Sequence, residues 1–278
     1  MPPKLGILAG AGNLPARIID TCRQDGREFF VLAFEGQTDP GCVDGTPHAW
    51  VRLGAAGKAL KLLRAAGAED LVMAGGIERP SLSALRPDAW AAKLIAKAGV
   101  RAGGDDGILS AIVREIEERE GFRVVGAHTI LPDMLATETI YGAVQPTETA
   151  RQDIDHGITV ARAIGALDVG QAAVVQQGMV LAVEAAEGTD AMLARCRDLR
   201  RDGPGGVLVK VRKPGQEDRA DMPTIGTSTI EKAAAAGLVG IAVEAGGALI
   251  IDRAAVVSAA DDAGLFLVGV SMTEDAGG

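Results

Sequence analysis

Short apolar runs that stop at a glycine and give way to helical spacing recur through the first half of the chain, and this repetition constrains the fold more than any other feature. Residues 4 to 9 end at Gly10, and residues 14 to 25 then alternate apolar and polar positions at helical intervals. A strand pattern at 29 to 34, a helix at about 57 to 67, a strand at 70 to 74 closed by Gly75 and Gly76, and a helix from near Pro87 continue the theme. Repeated strand–helix units imply a parallel sheet. Ile108, Leu109, Ile112, Val113 and Ile116 share one helical face, which predicts that Arg114, Glu115, Glu118 and Arg119 face water, and a strand at 122 to 126 follows.

Between Thr129 and Pro146 the periodicity lapses into Leu-Pro, Thr-Glu-Thr and Gln-Pro-Thr pieces, the pattern of a linker. The boundary is placed there, giving domains at 1–136 and 137–278. A helix at about 148 to 165 opens the second domain, with strands near 172 to 176, 179 to 184, 206 to 211, 239 to 243 and 248 to 251. Helices near 190 to 200, 226 to 236 and 253 to 262 separate some of them. At 278 residues the chain suits two domains, and an apolar content drawn mainly from Ala, Gly, Val and Leu suits an α/β fold with small-residue packing.

The formal charge of −9, with no block of Lys and Arg interleaved with aromatics, argues against a nucleic-acid partner. Cys22, Cys42 and Cys196 are far apart and form no CxxC pair, so neither a disulfide framework nor a thiolate zinc site is indicated. The amino terminus lacks a basic region followed by a long apolar stretch, and the most apolar segment, Leu238 to Ile251, is broken by Glu244 and glycines. A cytoplasmic protein is expected, with any membrane contact peripheral.

Several segments carry the chemistry. Gly10, Gly12 and Pro15 stand where a strand becomes a helix, so backbone N–H groups there could approach a phosphate. A dinucleotide fingerprint would have glycine where Pro15 stands, although Glu35 lies near the position of a ribose-binding acid. Arg114 to Phe122 nearly copies the end of a Nudix box, but Arg119, Asp106 and Val100 occupy three of its key positions and leave its carboxylate cluster incomplete. Asp105 and Asp106, after Gly103 and Gly104, start a helix and serve either as caps or as contacts to substrate or metal. Trp90, Leu94 and Ile95 beside Lys93, Lys97 and Arg101 fit a membrane-facing helix or an ordinary surface one.

In the second half Asp168, Gln171, Glu184, Glu187, Thr189, Asp190, Lys210, Lys213 and Asp221 gather at strand and loop ends. Carboxylates that hold a hard dication, with lysines to neutralise phosphate charge, make chemical sense as an ensemble. Lys210 to Gly226 is the most specific stretch: a strand, a charged loop with two prolines, then a helix capped by Thr227 or Ser228. His48, His128 and His156 are scattered and no GNH-type motif appears, which disfavours a two-metal phosphoesterase.

GILAGAGNLP at the start, AGGIERP from Ala74, GGDDGIL from Gly103, ALDVGQ from Ala166, VEAAEGTDAMLAR from Val183 and VKVRKPGQEDRADMPTIGTSTI from Val209 together resemble the LpxI-type UDP-2,3-diacylglucosamine pyrophosphatases of lipid A synthesis. The resemblance implies a Rossmann-like first domain, a mixed α/β second domain that is catalytic and metal-binding, a homodimer, and Mg2+ with Mn2+ as a substitute. It implies hydrolysis of UDP-2,3-diacylglucosamine to lipid X and UMP, with attack at the phosphorus on the sugar side. Asp221, Lys210 and Lys213 become the catalytic residues, and Asp221, Asp168, Glu184, Glu187 and Asp190 the metal set. Gly10, Gly12, Asn13, Leu14, Pro15, Gly75, Gly76, Asp105, Asp106, Gln171, Thr189, Gln216 and Thr224 become substrate contacts. Glu217 and Asp218 stand where family members usually read Asn-Gln-Asp, so the local acid is assigned to Asp221. A nicotinamide-dependent oxidoreductase and a non-enzymatic nucleotide-sugar or lipid carrier remain the alternatives, and the substrate and lipid X imply peripheral contact with the inner membrane.

Overall fold

The computed structural model describes residues 2–77, 85–98 and 105–272. The chain forms two compact units, Met1–Pro132 with Glu217–Asp221, and Asp133–Gln216 with Met222–Gly278. Both are α/β.

The first unit runs β1 (Leu5–Ala9), α1 (Leu14–Gln24), β2 (Phe29–Phe34), α2 (Pro40–Val43), β3 (His48–Val51), α3 (Ala56–Ala65), β4 (Asp70–Ala74), α4 (Ala89–Ala98), α5 (Asp105–Glu115), β5 (Arg123–Val124) and α6 (Ala127–Ile130). Its sheet has the order β3-β2-β1-β4-β5 with every pair parallel. Chain direction across the sheet reverses between β1 and β4, which makes the carboxyl ends of those strands the switch point where ligands bind in such folds. Leu14, Ile18, Ile19 and Cys22 form the buried face of α1 at the spacing that the sequence sets. Leu32, Val51, Leu63, Leu71, Val113 and Ile116 anchor one core cluster, and each fully buried aliphatic side chain contributes roughly 1.5–3 kcal/mol.

The helix containing Val113 departs from expectation at Glu115, which is buried and not in water. Lys97 Nζ lies 2.6 Å from its Oε2 and Arg119 Nε 2.8 Å from its Oε1. The Lys97 hydrogen bond leads in holding its carboxyl below the usual range. Directly after it the helix loosens into a π turn, Ile116–Glu120, which ends at Gly121 with φ 75°. Trp90, a candidate for a membrane face, is instead half-buried: it packs on the first unit's core and donates from Nε1 to Glu120 Oε1 at 2.8 Å.

In the second unit β6 (Thr139–Tyr141), α7 (Glu148–Ala166), β7 (Ala172–Gln176), β8 (Met179–Val183), α8 (Gly188–Cys196), β9 (Val207–Lys210), β10 (Thr224–Ile225), α9 (Thr227–Ala235), β11 (Gly240–Glu244), β12 (Leu249–Ile250), α10 (Arg253–Asp262) and β13 (Phe266–Val270) follow in order. Six strands form one mixed sheet, β6-β13-β11-β9-β7-β8, and β10 pairs with β12. Strand neighbours alternate between two cores. Leu208, Ile241, Val243 and Leu267 belong to one cluster, while Val207, Val209, Ala242, Phe266 and Val268 belong to the other, so both faces are covered. Helix α7 covers the second face, and Gly157 lets it in close: a Cβ there would stand 2.4 Å from Val209 Cγ2.

Four strands, β3, β6, β10 and β13, lie where none was expected. β6 occupies the stretch read as linker and pairs antiparallel with β13, Tyr141 opposite Leu267 and Thr139 opposite Gly269. Gly269 permits this edge, because a Cβ on it would meet Thr137 O at 2.0 Å. The cap of α9 is Gly226, and not Thr227 or Ser228; Thr229 Oγ1 accepts from Gly226 N at 3.4 Å.

Candidate functional site

A lysine at the end of a strand in an apolar sheet needs polar partners, because burial otherwise disfavours its charged form. Lys210 ends β9 at 8% exposure and donates from Nζ to Thr189 Oγ1 at 3.0 Å and to Thr224 O at 3.1 Å. Thr189 Oγ1 in turn donates to Glu184 Oε1 at 2.6 Å, and Glu184 Oε2 accepts from Gln171 N at 3.1 Å. Gln216 Nε2 reaches Gln171 Oε1 at 3.4 Å, and its Oε1 accepts from Lys213 N at 3.0 Å. Lys213 Nζ then donates to Asp168 Oδ1 at 2.6 Å. Asp168, Lys213, Gln216, Gln171, Glu184, Thr189, Lys210 and Thr224, all named from the sequence, thus fall on one continuous chain of contacts. Asp168 sits at φ 53° just past α7, a left-handed position that Asp tolerates better than most residues.

The other acids assigned to a metal are held elsewhere. Arg195 Nη2 donates to Glu187 Oε1 at 2.8 Å and keeps that carboxyl below its usual range. Asp190 pairs with Lys232. Among the described residues no group of three or more His, Cys, Asp or Glu side chains converges as a metal cage. Within the second unit Asp168, Glu184, Glu187 and Asp190 therefore do not fit one shared ion.

In the first unit the glycine turns serve each other. Gly10 N donates to Ala74 O at 2.7 Å, Ala11 N to Gly76 O at 2.8 Å, and Gly76 N to Ala11 O at 3.1 Å. A Cβ on Gly10 would lie 2.4 Å from Gly76 O, and one on Gly75 would lie 2.2 Å from Ala11 O, so glycine allows the two turns to zip together. The N–H groups of Gly10 and Ala11 are spent on this zipper and not on a phosphate cradle. Gly12, at φ 86°, and Asn13 are exposed at the start of α1, whereas Leu14 and Pro15 are buried. Asp105 and Asp106 begin α5; their side chains, together with residues 78–80 and 103–104 of the motifs quoted above, lie outside the described residues.

Nor does the near-Nudix segment gather its acids. Glu115 goes to Lys97 and Arg119, Glu120 to Arg64 and Trp90, and Glu117 to Arg219. Arg219 belongs to Glu217–Asp221, the segment of the second half that is part of the first unit. There Asp221 N and Ala220 N both donate to Glu217 O at 3.0 Å, closing a tight turn.

Sequence reasoning passed over Glu244, which ends β11 at 8% exposure and accepts from Arg212 N at 2.7 Å through Oε2. An acid closing an apolar strand before a glycine pair was the available signal. It also passed over Arg219 and Glu117, whose pairing across 102 residues leaves no local pattern. A cavity of about 330 Å³ in the second unit is lined by Glu138, Arg151, Asp155 and Ser271 among others, and none of the candidate residues borders it.

Comparison with known proteins supplies the rest. The chain is 47% identical over 278 residues to the UDP-2,3-diacylglucosamine pyrophosphatase LpxI of Caulobacter vibrioides (strain ATCC 19089 / CIP 103742 / CB 15), covering 98% of this chain and 99% of that protein. Among solved structures, a carboxyaminoimidazole ribonucleotide synthase from asperigillus clavatus complexed with ATP matches at 11% identity and TM-score 0.24, over 64% of this chain and 38% of that one. An N5-carboxyaminoimidazole synthase from aspergillus clavatus matches at 13% identity and TM-score 0.25, over 73% of this chain and 45% of that one. This chain spans less than half the length of either, and at such scores the likeness carries no argument. The model of the LpxI N-terminal domain matches residues 4–134 and that of the LpxI C-terminal domain matches residues 137–268, so this chain belongs to the LpxI family.

Proposed function

We propose that this protein hydrolyses the diphosphate of UDP-2,3-diacylglucosamine to 2,3-diacylglucosamine 1-phosphate and UMP. The observation that carries the reading is the 47% identity, across nearly the whole of both chains, to a protein named for action on that substrate. The partly buried polar chain from Asp168 to Lys210 supports it, because a diphosphate needs fixed cationic donors and this chain fixes two lysines. Water attacks the phosphorus on the sugar side, the bond from that phosphorus to the bridging oxygen breaks, and UMP leaves with the bridging oxygen. Asp221 orients the water and receives its proton, while Lys210 and Lys213 offset charge on the phosphates.

Magnesium, where bound with the substrate, would neutralise phosphate charge and would need one or two carboxylates from the protein, not a cage. Cytoplasmic location, a homodimer and peripheral membrane contact complete the proposal, and among the described residues no helix is long and apolar enough to cross a membrane.

The test is turnover of UDP-2,3-diacylglucosamine by the purified protein in ¹⁸O-labelled water, with magnesium and with chelator, beside Asp221→Ala. Metal-dependent release of both products, label in the sugar phosphate alone, and a loss of orders of magnitude in the variant are expected. Label in UMP would move the attack to the other phosphorus. No turnover with any divalent metal would sink the reading.

A further inference from the structure

The turn that carries Asp221 is fastened through Arg219. Arg219 Nε and Nη2 grip Glu217 Oε1 and Oε2 at 2.7 and 2.8 Å, and Nη1 donates to Glu117 Oε1 at 2.8 Å. That same Glu117 oxygen accepts from Val124 N of β5 at 3.1 Å. All three guanidinium nitrogens are thus engaged, and the path runs from the sheet backbone through Glu117, Arg219 and Glu217 to the carbonyl that receives Asp221 N. Ala220, between Arg219 and Asp221, packs on the core cluster of the first unit. A planar fork that binds two carboxylates fixes geometry in a way that a point charge cannot.

From this arrangement we infer that Arg219 is a positioning residue for Asp221, holding the catalytic turn in register against β5 through Glu117. The inference rests on the reading of Asp221 given above. Arg219 does not touch the reacting atoms in this account; it sets where the neighbouring carboxylate stands. Displacement of a reacting group by about 1 Å costs on the order of a hundredfold in rate, and that is the loss expected for Arg219→Ala in kcat with KM little changed.

A double-mutant cycle with Asp221→Ala separates positioning from general support. Activity is measured for the wild type, Arg219→Ala, Asp221→Ala and the pair, by single turnover with enzyme in excess so that low rates are readable. If Arg219 acts through Asp221, its substitution costs nothing further once Asp221 is gone. An equal loss in both backgrounds, or wild-type kcat in Arg219→Ala, overturns the proposal. Full activity in Asp221→Ala overturns the reading of Asp221 itself, and the cycle shows which of the two has failed. Should Arg219→Ala not fold, Glu117→Gln takes its place, since it weakens the third bond and leaves the fork to Glu217 whole. It is judged by the same criterion.

Discussion

In the first unit a buried charge stands at the start of a parallel strand, Asp70 of β4, and in the second one stands at the end, Lys210 of β9. The Asp70 carboxylate is met by opposite charge at contact: Arg27 Nη2 at 2.7 Å, and Arg123 Nε and Nη2 both at 2.8 Å. The Lys210 ammonium donates to the Thr189 hydroxyl, which leads on to Glu184, and to the Thr224 carbonyl. Ligands of open α/β sheets bind at the carboxyl ends of strands. The same cost of burying a charge secures the fold at the start of β4 and, in the function proposed above, fixes a donor at the end of β9.

Asp70→Ala is the largest expected effect and the most direct way to break this contrast. Removing one partner of a buried ion pair costs about 3–5 kcal/mol, here with two arginines left facing each other. Denaturant unfolding should show that loss while turnover per folded molecule stays at the wild-type level. A variant of normal stability and impaired turnover would place Asp70 in the site and end the distinction.

Lys210→Met should show the reverse. Methionine keeps much of the buried volume but offers no donor, and loss of one fixed donor to a developing oxyanion typically costs 10²–10³ in kcat, about 3–4 kcal/mol of barrier. Stability should change by less than in Asp70→Ala, because Glu184 keeps its bonds from Thr189 and Gln171 N. Near-normal kcat in a well-folded Lys210→Met would mean that the buried lysine of the second unit is as structural as the aspartate of the first.

How far each unit could be read in advance differs for the same physical reasons. Glycine stops and helical spacing are local, so β1, α1, β2 and β4 stand within a residue or so of where the sequence puts them. β6 is a three-residue edge strand among prolines and glycines, and β13 is a short unbroken apolar run, which periodicity cannot assign to strand or helix. The fusion of Glu217–Asp221 with the first unit is invisible to any window, since Glu117 and Arg219 meet only in the fold. Residue types at the site were legible, but partner choice was not: in Glu-Ala-Ala-Glu-Gly-Thr-Asp the acids Glu184, Glu187 and Asp190 look alike. Which turn each occupies gives Glu184 to Thr189, Glu187 to Arg195 and Asp190 to Lys232. In the same way Gly10 and Gly12 look like one phosphate loop, and the sequence does not reveal that the N–H of Gly10 is already taken by Ala74 O.

A smaller effect, dependent on pH, sharpens the comparison within the first unit, where Glu217 is gripped by Arg219 near Glu117. The hydrogen bonds of Arg219 lead in holding the Glu217 carboxyl below its usual range. In the unfolded chain a glutamate titrates near about 4.3, so between that value and the lower folded value the unfolded state binds the extra proton. Stability from this group is therefore fully present above about pH 4.3 and drains away as pH falls through the depressed folded value. The midpoint gap between wild type and Arg219→Ala in urea unfolding should be constant from neutral pH down to that point and then narrow. A wild-type to Arg219→Ala gap that ignores pH throughout would mean that the grip on Glu217 adds no ionic stability to the turn, leaving Arg219 with geometry alone.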